Sequence, residues 1–310
     1  MSIYDKILVG VDGSRDSIHA AEQALKLLRG KGRMMLLTVV NRDYLEYHGE
    51  KPENLDRQDS SARKAMLQNI SEVADKGRTI GIDVELKLVH GKVFEEITDH
   101  AKSLDADAVV LGASHQGEVR RRFIGGTATK VIGLADRDVV VVPEKAEIAL
   151  KKIVAATDGS SYGQIAVRRA VDLARDFGAK LEIISVVEES AGFPANVTFP
   201  GGKPMANVTE SSADVPRPSF EDYLEKKVAK VKKLVEEERD RARHEGVKAE
   251  IVVPTGKPWR VLVKETENMG AGLIVMGSHG RTGLKRLVMG SVTQRVIEHS
   301  GCPVLVVRTR

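Results

Sequence analysis

The chain has 310 residues, of which 42% are hydrophobic and 30% charged, enough apolar material for a core and a length that suits two domains. Lys and Arg number 48 against 44 Asp and Glu, a net charge of +4 too thin to call for a polyanionic partner, and 4% aromatics with one Trp argue against nucleic acid. The single cysteine, Cys302, excludes a disulfide framework and a thiolate metal cluster, and no apolar run nears the roughly 18 residues of a membrane span, so the reading is a cytoplasmic globular protein with no membrane partner.

In chain order, Ile7–Val11 is an apolar run ending in Asp12-Gly13-Ser14, and the acidic Asp5 and Asp12 beside it make it a first strand rather than a signal segment. Ser14 opens a helix with apolar positions Ile18, Ala21, Leu25 and Leu28, and Gly30 is its expected C-cap. A strand over Met34–Val40 follows, then a charged helix over about Ser60–Thr79 before Gly81. A third strand leads to a helix opened near Lys92, a strand at Ala108–Leu111, a glycine-bearing loop, a helix and a strand at Val139–Val142.

From Lys152 the same order returns. Ile153–Ala156 ends in Asp158-Gly159-Ser160, and a helix carrying Ala166, Ala170, Leu173 and Phe177 stops at Gly178. A strand over Leu181–Val187 precedes a charged helix over about Glu221–His244, with an apolar stripe at Leu224, Val228, Val231 and Val235. A helix opened near Pro258, a strand at Leu273–Met276, a glycine loop and a strand at Val304–Val307 complete the half.

The repetition holds in register. Lys6 to Ser14 matches Lys152 to Ser160 at an offset of 146, while Gly91, Gly112, Gly125 and Val139 match Gly256, Gly277, Gly290 and Val304 at 165. The growth in offset marks an insertion of net length about 19, placed at about 190–218. There Pro194, Pro200, Pro204, Pro216 and Pro218 suit an exposed loop, either passive or acting as a flap or docking segment. The chain is a tandem duplication, with domains at 1–146 and 147–310. Strands alternating with helices imply right-handed crossovers, hence two five-stranded, parallel-sheet, doubly wound α/β domains. The fifth strands read as edges that pair the two halves within the chain or build a homodimer.

In such sheets ligands sit beyond the carboxyl ends of the strands, where the strand order reverses. The Asp-Gly-Ser turn and the loop Gly277-Ser-His-Gly280-Arg-Thr-Gly-Leu-Lys-Arg-Leu-Val-Met-Gly290-Ser291 both fall there. Gly277 and Gly280 would let backbone approach a phosphate, Gly290-Ser291 would open a helix whose free amides suit an anion, and Ser291 adds a hydroxyl. Asp158 is placed to accept from a ribose hydroxyl or base amine, or to hold a metal beside phosphates.

The Gly-x2-Gly-x9-Gly-Ser spacing at 277–291, with the Asp-Gly-Ser turn and the strand layout, resembles the universal stress protein family in its ATP-binding branch, twice over and across the chain except for the insertion. The resemblance implies that Asp158 and Val186 meet the adenosine end of a nucleotide and that Gly277, Gly280, Gly290 and Ser291 wrap ribose and phosphates, with Thr157, Met276, Arg281 and Val292 completing the contacts. It implies ATP or AMP as ligand, with Mg2+ or Mn2+ at the phosphates, in a stress-response regulator that is often dimeric and has no defining catalytic residues. The alternatives are a slow ATPase or autophosphorylating enzyme, and a nucleotide-free scaffold.

The first half departs from the pattern. Without gaps, His115 stands where the second glycine belongs and Gly125-Gly126 stands for Gly-Ser; a one-residue shift instead aligns Gly126-Thr127 and leaves Gly117 as the flexible point. Asp12, Val39, Gly112, Gly125, Gly126 and Thr127 are the candidate contacts there. Arg120-Arg121-Arg122 and Lys285-Arg286 occupy corresponding loops and read as solvated charge, as attraction for phosphates or as a contact between domains. His115 and His279 have no partner at metal-ligand spacing, and no Gly-x4-Gly-Lys-Ser/Thr is present. Trp259 reads as packing, and Cys302 as an inert buried thiol.

Overall fold

The computed structural model describes residues 3–40, 60–113, 125–189, 220–280 and 289–308; the proline-rich insertion, His115, Gly117, the Arg120–Arg122 run, Arg281 and Lys285-Arg286 lie outside them. In the first half β1 (Lys6–Gly10), β2 (Arg33–Val40), β3 (Asp83–His90), β4 (Ala108–Gly112) and β5 (Asp138–Val142) alternate with α1 (Arg15–Ala24), α2 (Ser60–Thr79), α3 (Val93–Leu104) and α4 (Gly126–Leu134). In the second half β6 (Lys152–Ala156), β7 (Lys180–Ile184), β8 (Lys248–Val252), β9 (Leu273–Gly277) and β10 (Val304–Val307) alternate with α5 (Ser161–Phe177), α6 (Phe220–His244), α7 (Pro258–Asn268) and α8 (Ser291–His299). Central strands such as β5 and β9 are buried at every residue, as a sheet covered on both faces requires.

Two local expectations are corrected. Gly30 is not the C-cap of the first helix: α1 tightens into a 3-10 turn at Leu25–Leu28, Arg29 takes the left-handed conformation at φ 50, and Gly30 follows at φ 72. The second strand of the second half is also shorter than Leu181–Val187. It stops at Ile184, and Val187 makes only a bridge to Thr255.

The sheet order is β3-β2-β1-β4-β5-β10-β9-β6-β7-β8, so each half has the order 3-2-1-4-5 and the reversal falls between its first and fourth strands. The fifth strands are not edges. β5 and β10 pair antiparallel, with Val141, Val140 and Val139 opposite Val304, Leu305 and Val306, and fuse the halves into one ten-stranded sheet within the chain. All other neighbours are parallel. The outer strands β3 and β8 carry Asp83, Glu85 and Lys87, and Lys248 and Glu250, charges that discourage pairing with another chain.

The core follows the same seam. On each face of the sheet one apolar cluster runs through both halves, for example Tyr4, Leu27, Val140 and Ile153 on one side and Leu8, Val139, Val154 and Val304 on the other. Polar contacts also cross. Asp138, its side chain 1% exposed, accepts from the Tyr4 hydroxyl at 2.9 Å and pairs with Arg169 Nε at 2.8 Å. Ile3 N–H donates to Asp176 Oδ2 at 2.7 Å, and Ile148 N–H to Gln23 Oε1 at 3.0 Å. Among the described residues no helix is long and apolar enough to cross a membrane.

Two neutral acids are buried beside this core. Burial raises the Cys302 thiol to about 12, and the thiol donates to Ala271 O at 3.1 Å. Burial and then the adjacent Asp138 carboxylate push the Tyr4 phenol well above its usual range. For both groups the folded pKa lies above the unfolded one. Their contribution to stability is therefore complete below the unfolded pKa, about 8.5 for the thiol and about 10 for the phenol, and is lost as pH rises toward the folded values.

Two outcomes follow for measurement. Burial holds Cys302 as the protonated thiol at pH 8, so a chromogenic disulfide reagent should label it only on unfolding by denaturant. Asp138→Ala should lower stability by about 2–3 kcal/mol in urea titration, less than for a fully buried pair because Arg169 stays partly solvated.

Candidate functional site

At the carboxyl edge of the second half, β6 is flanked by β7 on one side and β9 on the other, and the segments leaving these three strands diverge around a cavity of ≈ 430 Å³. Of the ten residues expected there, Thr157, Asp158, Val186, Met276, Gly277, Gly280, Gly290, Ser291 and Val292 line it, and Arg281 lies outside the described residues. The reversal in strand order is what opens the space, since the crossovers on its two sides leave on opposite faces of the sheet.

The Asp-Gly-Ser turn is held by its own side chains. Ser160 N–H donates to Asp158 Oδ1 at 3.0 Å and Gly159 N–H to Thr157 Oγ1 at 3.1 Å, with Gly159 at φ 80. Ser160 then caps α5, its hydroxyl oxygen accepting from Gly163 N–H at 3.2 Å. A Cβ on Gly163 would stand 2.5 Å from Thr157 Oγ1, so a side chain there would have to displace that hydroxyl.

The strand-β9 loop is built for close approach, though not in the way its spacing suggests. A Cβ at Gly277 would fall 2.8 Å from the Tyr162 carbonyl oxygen. That glycine therefore admits the first turn of α5 against β9, a packing that demands glycine by itself, while the same residue also lines the cavity. Gly112 does the same in the first half against Asp16. At Gly280 a Cβ would lie 2.9 Å from Asp158 Oδ2, which sets this glycine directly beside the carboxylate. Gly290 N–H donates to Ser278 O at 2.8 Å, and Thr293 Oγ1 donates to Gly277 O at 2.9 Å, so the start of α8 is tied to the end of β9 at two points. Gly290 is the N-cap of α8 and brings no side-chain cap, which leaves the first amides of the helix beside the cavity available to an anion.

Its lining combines the apolar Ile184, Val186, Val231, Leu262 and Met276 with Asp158, Gly280, Gly290 and Ser291. Sequence reasoning missed Lys227 and Val231, which α6 brings to the cavity; Lys227 Nζ donates to Glu188 O at 3.0 Å. The periodicity marked Val231 as inward-facing but not what it would face. His279 also lines the cavity, its ring 5.2 Å from that of Tyr162. Among the described residues no three His, Cys, Asp or Glu side chains gather to hold a metal. Trp259, at the start of α7, packs against the His299 ring at 4.5 Å between centroids.

In the first half, Gly125 is the N-cap of α4 and Gly126 its first residue, as Gly290 and Ser291 are for α8. The ungapped correspondence is the structural one, and the shift that aligned Gly126-Thr127 with Gly-Ser is set aside; Thr127 is the second residue of the helix. Asp12 follows β1, Val39 lies near the end of β2 and Gly112 ends β4, so the expected set occupies the matching edge. The turn differs, with Ser17 where the second half has Gly163. Ser17 Oγ accepts from Asp12 N–H at 3.2 Å and donates to Ser14 O at 3.0 Å. Burial opposes the charge on Asp12, but hydrogen bonds with Ser14 and Ser17 outweigh it and hold the carboxyl below its ordinary value.

Comparison with known proteins gives the same picture for both halves. The model of the universal stress protein family matches residues 3–143 and again 149–308. A universal stress protein of Methanocaldococcus jannaschii is 36% identical over 160 residues, 51% of this chain and 82% of that protein. One from Mycolicibacterium smegmatis is 29% identical over 311 residues, 98% of this chain and 97% of its own. A crystal structure of a universal stress protein from Archaeoglobus fulgidus superposes with a TM-score of 0.70 at 18% identity, covering 98% of each chain, and speaks to the fold alone.

The two glycines at the end of β9 should separate in mutagenesis. Gly277→Ala forces a methyl against backbone and should cost about 1–3 kcal/mol in thermal or urea unfolding. Gly280→Ala meets only the tip of the Asp158 side chain and should leave stability within about 0.5 kcal/mol while displacing the carboxylate.

Proposed function

The chain belongs to the universal stress protein family, and from that premise we propose that it is an adenine-nucleotide-binding regulator of the stress response, taking ATP or AMP mainly in its second domain. The observation that carries this reading is the convergence of a bare helix N-terminus, a carboxylate and an apolar wall on one cavity of ≈ 430 Å³. The residues present fit such a ligand. Gly280 and Gly290 keep side chains out of the cradle, and the α8 amides with the Ser291 hydroxyl supply donors for phosphate oxygens. Asp158, beside Gly280, is an acceptor for ribose hydroxyls, while Val186 and Met276 offer the flat apolar contact an adenine ring needs.

Mg2+ or Mn2+ would enter with the phosphates rather than in a protein cage, since the described residues gather no set of ligands for it. The role assigned to the chain's residues is to bind and orient, with the binding energy spent on favouring one conformation over another. In the first domain Gly126 replaces the serine of the second and Ser17 the glycine, so the same edge offers one hydroxyl fewer to phosphate and a more crowded turn.

Calorimetric titration of nucleotide-stripped protein with Mg-ATP, repeated with AMP, tests the proposal. One nucleotide per chain is the expected stoichiometry, and two would show that the first domain binds as well. Gly290→Asp places a negative charge at the phosphate end while supplying a good N-cap, so the fold should persist and affinity should fall about a hundredfold or more. Unchanged affinity in that variant would remove the site assignment. No heat, with no shift in melting temperature on adding nucleotide, would favour a scaffold. Phosphate release or stable labelling of the protein from radiolabelled ATP would favour an enzyme.

A further inference from the structure

The head of α8, beside the cavity, is tied to Ser278. Gly277, Gly280, Gly290 and Ser291 line the cavity, and the N–H of Gly290, the N-cap residue of α8, donates to Ser278 O at 2.8 Å. Ser278 is fully buried, so its hydroxyl takes its partners from the protein. Arg308 Nη1 donates to Ser278 Oγ at 3.2 Å, and His279 Nδ1 lies 3.0 Å from the same oxygen.

Arg308 reaches that hydroxyl from a fixed base in the other half of the chain. Its Nη2 donates to Gly133 O at 2.9 Å and its Nε to Ala135 O at 3.0 Å. Both carbonyls belong to the carboxyl end of α4, where the helix dipole favours a cation. The guanidinium is a rigid plane, so two donors fixed on α4 dictate where the third points. The backbone N–H of Arg308 donates separately to Asp138 Oδ1 at 3.3 Å, a bond that does not need the side chain.

Neither partner of the Arg308–Ser278 contact has a counterpart in the first half. The positions 165 residues earlier are Pro143 and Ala113, whose side chains neither donate nor accept. There β4 and α4 occupy the places matching β9 and α8 without such a tie, so the fold does not require it.

We propose that Arg308 is a positioning residue for the head of α8. Clamped on α4 of the first domain, it holds Ser278, and through the Ser278 carbonyl it holds the Gly290 amide at the cavity of the second domain. Groups held in place before a ligand arrives lose less freedom on binding it, so the first domain sets the readiness of the second domain's phosphate-binding amides. The effect on affinity rests on the nucleotide reading; the hold on the loop does not.

The test has two arms on the full chain. In the first, amide hydrogen exchange is followed without nucleotide. Arg308→Met keeps the length of the side chain and the backbone bond to Asp138 while removing the clamp. Gly290 N–H should then exchange about tenfold faster, with the amides of β5 and β10 keeping their protection. Unchanged exchange at Gly290 overturns the positioning. If Arg308→Met loses protection at the seam, Ser278→Ala takes its place with the same expectation. The second arm is a double-mutant cycle over Arg308→Met, Ser278→Ala and the pair, read by titration with Mg-ATP. Each single variant should weaken binding about three- to tenfold, and the pair no further than the worse of the two, because both break one link. Losses that multiply in the pair overturn the link, since a merely structural role for Arg308 would act independently of Ser278. If the unaltered chain takes up no nucleotide, the nucleotide reading falls, and the first arm still decides whether Arg308 holds the loop.

Discussion

Where Val139–Val141 meet Val304–Val306, two short valine-rich strands pair antiparallel, and both sheets lose the edge each would otherwise expose. The rest of the molecule is arranged around that seam. The apolar layers on the two faces become continuous, so neither half carries a core that stops at its own boundary. Asp138, fully enclosed at the start of β5, is tolerated because Tyr4 and Arg169 reach it from opposite halves. The duplication is not symmetrical at this point: the residues matching Asp138 and Arg169 by the repeat are Pro303 and Gln23. Pairing either half with a copy of itself would strand one member of the ion pair.

Distance from the seam does not insulate the candidate site from packing demands. Gly277 holds its place because α5 leans on β9 closely enough that a single methyl would collide with backbone, and Gly163 stands against the Thr157 hydroxyl. That intimacy places the carboxylate of Asp158 next to Gly280 and brings the start of α8 against the same loop. The space opened by the strand reversal is thus walled by helices seated close to the strand ends, one of which begins at a glycine that brings no side-chain cap.

Much of this is legible in the amino-acid order. Continuous apolar runs such as Val304–Val307 can only be buried strands, Ser14 and Ser160 announce helix starts, and the Gly290-Ser291 pair marks the head of α8. What was not legible depends on contacts remote in sequence. A buried valine strand carries no mark of whether its neighbour comes from the same chain or another, so the β5–β10 pairing stayed open. The packing role of Gly277 was hidden because the helix it accommodates is more than a hundred residues earlier. Lys227 and Val231 reach the cavity from beyond the insertion, and periodicity reports which face of α6 is inward, never which wall it completes.

The antiparallel join also fixes a geometry that neither half has alone. Strands within a half run together, and the two halves run opposite ways, so the carboxyl edges of the first and second halves open on opposite rims of one plate. The helix α4 begins at Gly125 on one rim and ends under Arg308 at the other, a strut with one foot at each. A large molecule resting on either rim would cover that rim and leave the other in free solvent, although only the length of a nine-residue helix lies between them.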